Sequence, residues 1–286
     1  MGSFLIYSTV TLFQPPQDFY APQHIADAFS YWAGGFALLA LPYCFYRLIK
    51  KKDWAPLLLW LGGFIACLNE ATIEYNLNMT EAQNYPGMYY KAFDIRMPLF
   101  MPFCYAFFVS MLAYLVYRLM ARERGLTVKG VFYAWLGIAI AEMCMEIPGT
   151  YFGAYAYLGD QPFRVLGFPL WQAWTNATGF VLIAFMCWLF APMLTGWKTS
   201  FYLLLPVFGF HGGWGMVAWP NYVAMNFQIP YIPLWGRNLL SAFSLLICLV
   251  VVWGVAVIVA TDSKWAWKEK IKESSSFLQK LGAKEK

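Results

Sequence analysis

The stretch LLSAFSLLICLVVVWGVAVIVA, residues 239–260, contains no charged side chain, and serine is its only hydroxyl residue. An α-helix of this length is about 33 Å long, which matches the ~30 Å hydrocarbon core of a bilayer. Inside that core every backbone N–H and C=O must find a partner within the protein, and a helix provides these partners by itself. The stretch therefore predicts a transmembrane helix.

Six earlier apolar stretches have a similar length. The predicted spans cover residues 26–49, 55–76, 98–120, 130–150, 169–194, 199–220 and 237–261. They lack the alternation of barrel strands, which are about ten residues long, so the predicted class is all-α, a polytopic helical membrane bundle. The composition agrees, because 60% of residues are hydrophobic and only 12% are charged. We predict one transmembrane domain over residues 1–262 and a basic cytoplasmic tail over residues 263–286.

The positions of Lys and Arg predict the orientation. Sixteen of them follow spans 1, 3, 5 and 7, whereas four precede spans 3, 5 and 7. Because cytoplasmic loops carry the excess of basic residues, we expect the N-terminus outside and the C-terminus inside. The expected location is a plasma membrane or an endomembrane.

The net charge of +5 does not indicate a nucleic-acid partner, because the basic residues are distributed as in a membrane protein. The expected partners are the lipid bilayer and a lipophilic small molecule, and the oligomeric state is left open. All six cysteines fall within apolar stretches and are expected to be core residues. With two histidines and no phosphate- or dinucleotide-binding motif, we expect no metal and no cofactor. Span 7 has no lysine for a retinal Schiff base.

Two pairs of glutamates lie within the spans. Glu70 and Glu74 are four residues apart in span 2, and Glu142 and Glu146 have the same spacing in span 4. Each pair shares one helix face, in the outer half of the bilayer. Ionisable groups at such depth usually serve a function. We expect these four residues and Asp94 to converge on one acidic cavity and to act in catalysis.

Aromatic and polar residues near the outer ends of the spans are candidates for binding a substrate. They are Tyr151, Tyr155, Tyr157, Trp171, Trp174, Asn176, His211 and Trp214. Aromatic faces can stabilise a cation that develops during a reaction. The alternative for the tyrosines and tryptophans is the ordinary interfacial belt.

Structural alternatives apply to the other candidates. The glutamates could form a hydrogen-bonded network or pair with Arg96 or Arg164. The spacing of Gly209 and Gly213 around His211 is typical of close helix packing.

Two segments of the chain look alike. Spans 2–3 and spans 4–5 each begin with Trp-Leu-Gly, carry two glutamates and pass through an aromatic loop. Each pair then re-enters at a Pro-Leu, at Pro98 and at Pro169. An internal repeat that runs in parallel is one interpretation.

The segment from Glu146 to Tyr157, EIPGTYFGAYAY, followed by Phe168-Pro-Leu, resembles the AveC-like spirocyclase family. The resemblance covers about residues 30–190, and the carotenoid hydratases are similar more loosely. It implies acid-catalysed spiroketal formation or dehydration of a polyketide, or addition of water to an isoprenoid alkene. Only Glu146, Gly153, Tyr155 and Tyr157 carry over residue by residue.

Two classes of function fit the sequence. The first is a membrane-embedded acid/base enzyme, a cyclase, hydratase, dehydratase or isomerase, that acts on a terpenoid or polyketide without a cofactor. The second is a proton-coupled carrier of a small lipophilic or organic solute, for which carboxyls within the membrane are equally natural.

Overall fold

The computed structural model describes residues 13–122, 125–226 and 232–261. Seven long helical segments follow one another in this part of the chain: α1 (Gln23–Lys51), α2 (Ala55–Leu77), α3 (Met101–Met120), α4 (Val128–Tyr151), α5 (Trp171–Phe190), α6 (Val207–Asn226) and α7 (Leu234–Thr261). Six are long and apolar enough to cross a membrane by themselves. The mostly helical class is thus confirmed, and the six helices are consistent with a multi-pass membrane protein, while insertion in a membrane and the orientation stay predictions. The expected tail at 263–286 lies outside the described residues.

The sixth span is not the straight helix that the sequence predicts over residues 199–220. A short 3-10 helix, Gly196–Leu203, precedes α6, and the two are bent by 49° at the break between them. Pro206 lies in this break and cannot donate a backbone hydrogen bond. The bent pair makes a seventh span if it is counted as one.

Helix α5 lies at the centre of the bundle. It contacts α3, α4, α6 and α7, and most of its side chains are buried. Helix α1 is peripheral, since it packs on α2 and α3 and buries only small side chains. Close packing depends on glycine at several positions. A Cβ on Gly209 would lie 2.7 Å from the Cα of Ile183, so the packing interpretation of this glycine holds.

The six cysteines are all free. Five of them are buried, but Cys144 on α4 is exposed, so the expectation of a core residue is wrong there. It lines a pocket between α4 and the peripheral helix α1, which make few contacts with each other, so its side chain is left uncovered.

Three of the helices contain a turn that departs from α-helical geometry. Helix α2 has a 3-10 turn at Cys67–Asn69, α3 has a π-helical segment at Tyr105–Met111, and α6 has another at Val207–Gly212. Such segments are often found at functional sites. Here they meet, because the ring of Tyr105 stacks on His211 with centroids 6.0 Å apart, and Nε2 of His211 lies 2.6 Å from the carbonyl oxygen of Ala66.

Short strands cover one end of the bundle. The connection from α2 to α3 contains β1 (Met79–Glu81) and a hairpin of β2 (Met88–Ala92) and β3 (Ile95–Pro98). The connection from α4 to α5 contains β4 (Tyr155–Tyr157) and a hairpin of β5 (Arg164–Val165) and β6 (Phe168–Pro169).

The two connections have the same order of elements, and β1 pairs antiparallel with β4. Both hairpins close through two residues with positive φ, Phe93 with Asp94 and Leu166 with Gly167. This likeness supports the interpretation of a repeat. The β1–β4 pair joins the ends of α2 and α4, and it brings together their glutamates.

Candidate functional site

A cavity beneath the β1–β4 pair is lined by four carboxyl groups, those of Glu70, Glu81, Glu142 and Glu146. Most of its remaining wall is aromatic or apolar and comes from α1, α3, α5 and α6. The aromatic members of the wall are Phe29, Trp32, Phe100, Tyr105, Phe108, Tyr155, Tyr157, Phe180 and Phe210. The free volume is about 80 Å³, which suffices for a few water molecules but not for a drug-sized ligand.

The predicted convergence of the two glutamate pairs is therefore found for three of their four members. The fourth, Glu74, lies one helical turn beyond Glu70 and is fully buried, although it does not line the cavity. Neither of its carboxyl oxygens has a hydrogen-bond partner in the described part of the chain.

Arginine does not neutralise this cluster. Arg96 donates to the carbonyl oxygens of Gln83, Tyr85 and Gly87, and Arg164 donates to backbone carbonyls of its own connection. The ion pairs of Arg47 with Asp53 and of Lys91 with Asp94 do not involve any of these glutamates. The alternative in which Arg96 or Arg164 pairs with the glutamates is wrong.

The side chains of Glu70, Glu142 and Glu146 each accept a hydrogen bond from one uncharged donor. The hydroxyl of Tyr105 donates to Glu70, and the side-chain amide of Asn176 donates to Oε1 of Glu142. Oε2 of Glu142 has no partner among the described residues. Asn176 is a predicted binding residue, and the structure places it and the neighbouring Gln172 in the cavity wall.

Glu146 is held by the two tyrosines of the motif EIPGTYFGAYAY. The hydroxyl of Tyr157 donates to Oε2 of Glu146 at 3.3 Å, and that of Tyr155 lies 3.4 Å from the backbone carbonyl oxygen of Glu146. Gly149 permits this arrangement, since a Cβ at that position would collide with the hydroxyl group of Tyr155. The predicted binding residues Tyr155 and Tyr157 therefore line the site beside Glu146.

Glu81 is the site residue that sequence reasoning missed. It lies in β1 opposite Tyr155, is fully buried, and has no hydrogen-bond partner for its carboxyl group among the described residues. Burial raises the pKa of Glu81 well above its ordinary value, and the nearby carboxyls of Glu146 and Glu70 raise it further. Hydropathy assigns Glu81 to a polar loop, and no local signal shows that this loop folds back as a strand.

Asp94 does not belong to the site, so that expectation is wrong. It is exposed and forms an ion pair with Lys91 at 3.3 Å. The two-residue turn of Phe93 and Asp94 places both residues at the tip of the β2–β3 hairpin, since both have positive φ.

Tyr151 is also outside the site, because it is exposed at the end of α4 and packs on Phe152. Trp171 and Trp214 are fully buried in helix packing, Trp174 is half-buried, and these tryptophans do not line the cavity. These tryptophans are expected to bind a substrate, but their side chains pack against neighbouring helices instead. His211 contributes indirectly, through its stacking on Tyr105.

No family model, curated protein or solved structure matches this chain. Among the described residues, no three His, Cys, Asp or Glu side chains are grouped so that they could hold a metal ion. The site must therefore be interpreted from its own chemistry.

That chemistry is set by five acidic side chains, Glu70, Glu74, Glu81, Glu142 and Glu146, in a wall of low polarity. Like charges at short range and poor solvation mean that the five cannot all be ionised. If one carboxyl of the cluster is neutral and a neighbour is ionised, a proton donor lies beside a proton acceptor, which is the arrangement required for acid/base catalysis.

Proposed function

We propose that this protein is a membrane-embedded acid/base enzyme, a cyclase, hydratase or dehydratase, that acts on a lipophilic terpenoid or polyketide. The observation that carries the proposal is the cluster of carboxyls in an aromatic cavity, without a paired cation in the described part of the chain. A carboxyl that is kept neutral can donate a proton, and an ionised neighbour can accept one.

In the proposed reaction Glu146, in its protonated form, donates to a hydroxyl group of the substrate. The carbon–oxygen bond breaks, water leaves, and the cation that forms is stabilised by the faces of Tyr155, Tyr157 and Phe100. Glu142, in its ionised form, then removes a proton from the adjacent carbon, and an alkene results. The enzyme ends with one proton moved between two carboxyls. The reverse sequence is a hydration, and attack by a second hydroxyl of the substrate instead of water is a cyclisation.

The resemblance to the AveC-like spirocyclases supports Glu146 as the donor. The motif that carries the resemblance contains two tyrosines, Tyr155 and Tyr157, and the hydroxyl groups of both lie next to Glu146. A motif that is defined by a glutamate and two tyrosines thus corresponds to one contiguous group of side chains in the cavity wall.

The test is the substitution Glu146→Gln, measured as conversion of hydroxylated polyketides and linear isoprenoids by the purified full chain in lipid nanodiscs. Glutamine keeps the size and the hydrogen bond to Tyr157 but cannot donate a carboxylic proton. We expect the rate to fall by about 100-fold to 10,000-fold while the melting temperature stays near that of the parent. Asp94→Asn, which changes an exposed acid outside the cavity, serves as the matched control and should leave the rate unchanged. A folded Glu146→Gln protein with undiminished turnover would overturn the assignment.

The carrier alternative is separated by a second measurement. Vesicles that contain the protein and a pH gradient should convert the lipophile chemically if the enzyme proposal is right. Accumulation of the unmodified solute, dependent on the gradient and abolished by Glu146→Gln, would establish the carrier instead.

A further inference from the structure

A second cavity adjoins the acidic one and opens at the outer surface of the bundle. We call it the lateral groove. Its walls are α1, with Ala28 and Phe36, and α4, with Ala141 and Cys144, while Leu112 of α3 forms part of its floor. The groove exists because α1 packs on α2 and α3 but makes few contacts with α4. The exposed thiol of Cys144 lies in it.

The lateral groove and the acidic cavity share part of their walls. Phe29, Trp32, Phe108 and Met145 line both. These side chains therefore form the partition between an apolar space that faces the bilayer and the space that contains the carboxyls. Two further pockets, one near Trp197 and one near Phe13, share no residue with the acidic cavity.

The lateral groove is several times larger than the acidic cavity. The acidic cavity has a free volume of about 80 Å³, whereas the lateral groove has about 510 Å³. Only a small functional group fits beside the carboxyls, so most of a lipophilic molecule must lie elsewhere. The groove is long enough for a hydrocarbon chain, since Phe29 and Phe36 are about 10 Å apart along α1.

We infer that the lateral groove holds the apolar chain of the substrate, while only the reactive end of the molecule passes the partition and reaches the carboxyls. This inference rests on the proposed function and narrows its substrate class. The substrate is an elongated lipophile with a reactive alkene or hydroxyl group near one end, and it reaches the site from the bilayer rather than from water.

The driving force is the burial of apolar surface against apolar surface. The lining of the lateral groove carries no charged side chain, and its polar groups are the thiol of Cys144 and the indole N–H of Trp32. A hydrocarbon chain fits such a lining, and van der Waals contact with Phe36, Leu112 and Ala141 would determine its position. A polar substrate would lose hydration there and find few groups with which to form hydrogen bonds.

The experiment uses two photoreactive long-chain alcohols and the purified full chain in nanodiscs. One alcohol carries a diazirine next to the hydroxyl group, and the other carries it at the far end of the chain. We expect the first to label cavity residues, such as Ile73 and Met101, and the second to label groove residues, such as Phe36 and Leu112. Both alcohols should protect Cys144 from a membrane-permeant maleimide.

Ala141→Trp fills the groove from a wall that faces open space, so it should not disturb helix packing. Because loss of contact with even two methylenes weakens binding by more than about tenfold, both labels should fall at least that much. Ile140→Trp is the matched control, since Ile140 is exposed on the same helix and does not line the groove, and it should keep both labels.

Two results would overturn the inference. Labelling of the groove by the far-end probe without labelling of the cavity by the other would mean that the groove holds membrane lipid chains only. Labelling of the cavity that survives Ala141→Trp would mean that the chain lies elsewhere. A failure of the proposed chemistry would look different from both results. In that case both probes would still label the protein as expected, but the Glu146→Gln variant would turn over substrate as fast as the parent.

Discussion

Glu81 shows how strongly the environment of a single residue determines its chemistry here. Three acids of the cavity have a neutral donor, namely Tyr105 for Glu70, Asn176 for Glu142 and Tyr157 for Glu146. Glu81 has none among the described residues and faces other carboxyls. Its carboxyl group is therefore suited to hold a proton and to exchange it with Glu146, which makes Glu81 a candidate partner in the proposed reaction.

The stability of the protein should depend on pH through Glu81. In the unfolded chain Glu81 ionises near its ordinary value of 4.5, whereas burial raises its pKa in the folded protein. Between these two values the unfolded state binds fewer protons, so the contribution of Glu81 to stability is highest at low pH and falls as the pH rises toward the raised value. Glu81→Gln removes this dependence. We expect the variant to melt at a higher temperature than the parent at pH 8, with a smaller difference at pH 4.

Asp18→Asn, a change at an exposed acid, provides the control for that measurement and should leave the pH profile of melting unaltered. The melting temperatures are measured in detergent micelles. Equal pH profiles for the parent and Glu81→Gln would contradict the assignment of Glu81 as a neutral buried acid.

The irregular segments of α2, α3 and α6 contact one another at the cavity. The 3-10 turn of α2 and the π-helical segments of α3 and α6 lie next to one another at the cavity, and such segments are frequent at functional sites. Through them Tyr105 reaches Glu70 and stacks on His211. The contact of α2 with α3 is close because Gly63 lies against the backbone of Ala106 in the π-helical segment.

Gly63→Ala should therefore destabilise the protein. The added Cβ would lie 2.6 Å from the Cα of Ala106, and a backbone atom cannot move aside as a flexible side chain can. Overpacking of this kind costs about 1–3 kcal/mol. A lower melting temperature and a weakened Tyr105–Glu70 contact are expected.

Gly137→Ala on α4 is the matched substitution, because a Cβ there would meet no atom within 4 Å. Alanine is preferred to glycine in a helix by roughly 0.5–1 kcal/mol, so this variant should melt at the same temperature as the parent or higher. If Gly63→Ala and Gly137→Ala melt alike, the close contact of α2 and α3 does not limit stability.

At the scale of the whole molecule, the two connections with their strands close one end of the bundle, and the lateral groove opens at its side. The carboxyls lie beneath the strands and behind the partition of Phe29, Trp32, Phe108 and Met145. In the function that we propose, this arrangement would separate the proton chemistry from bulk water and leave a path to the bilayer. Exclusion of water strengthens electrostatic interactions within a site and protects reactive cations from side reactions.

The orientation of the bundle is a prediction of the same scale. Sixteen basic residues are expected on the inner side and four on the outer side, so the strand-bearing end should face outward. A reporter enzyme that works only in the cytoplasm, fused after Lys286, should be active. A reporter that works only outside, fused at the same point, should be inactive, and the opposite pair of results would reverse the topology.

The sequence alone determined most of the helices and the placement of the two glutamate pairs within them. Hydropathy and helical spacing are local properties, so they suffice to place residues such as Glu142 and Glu146 on one face of one span. Convergence of the two glutamate pairs is predictable too, since their spans run in the same direction.

The tertiary structure alone decided which polar residues outside the helices belong to the site. Glu81 enters it and Asp94 leaves it because strand pairing joins residues that are far apart in sequence, β1 with β4 across more than 70 positions. The contact of Tyr105 with Glu70 and the existence of the lateral groove likewise depend on how α1, α2, α3 and α4 pack against one another. Such packing involves several segments together, so no single stretch of sequence encodes it.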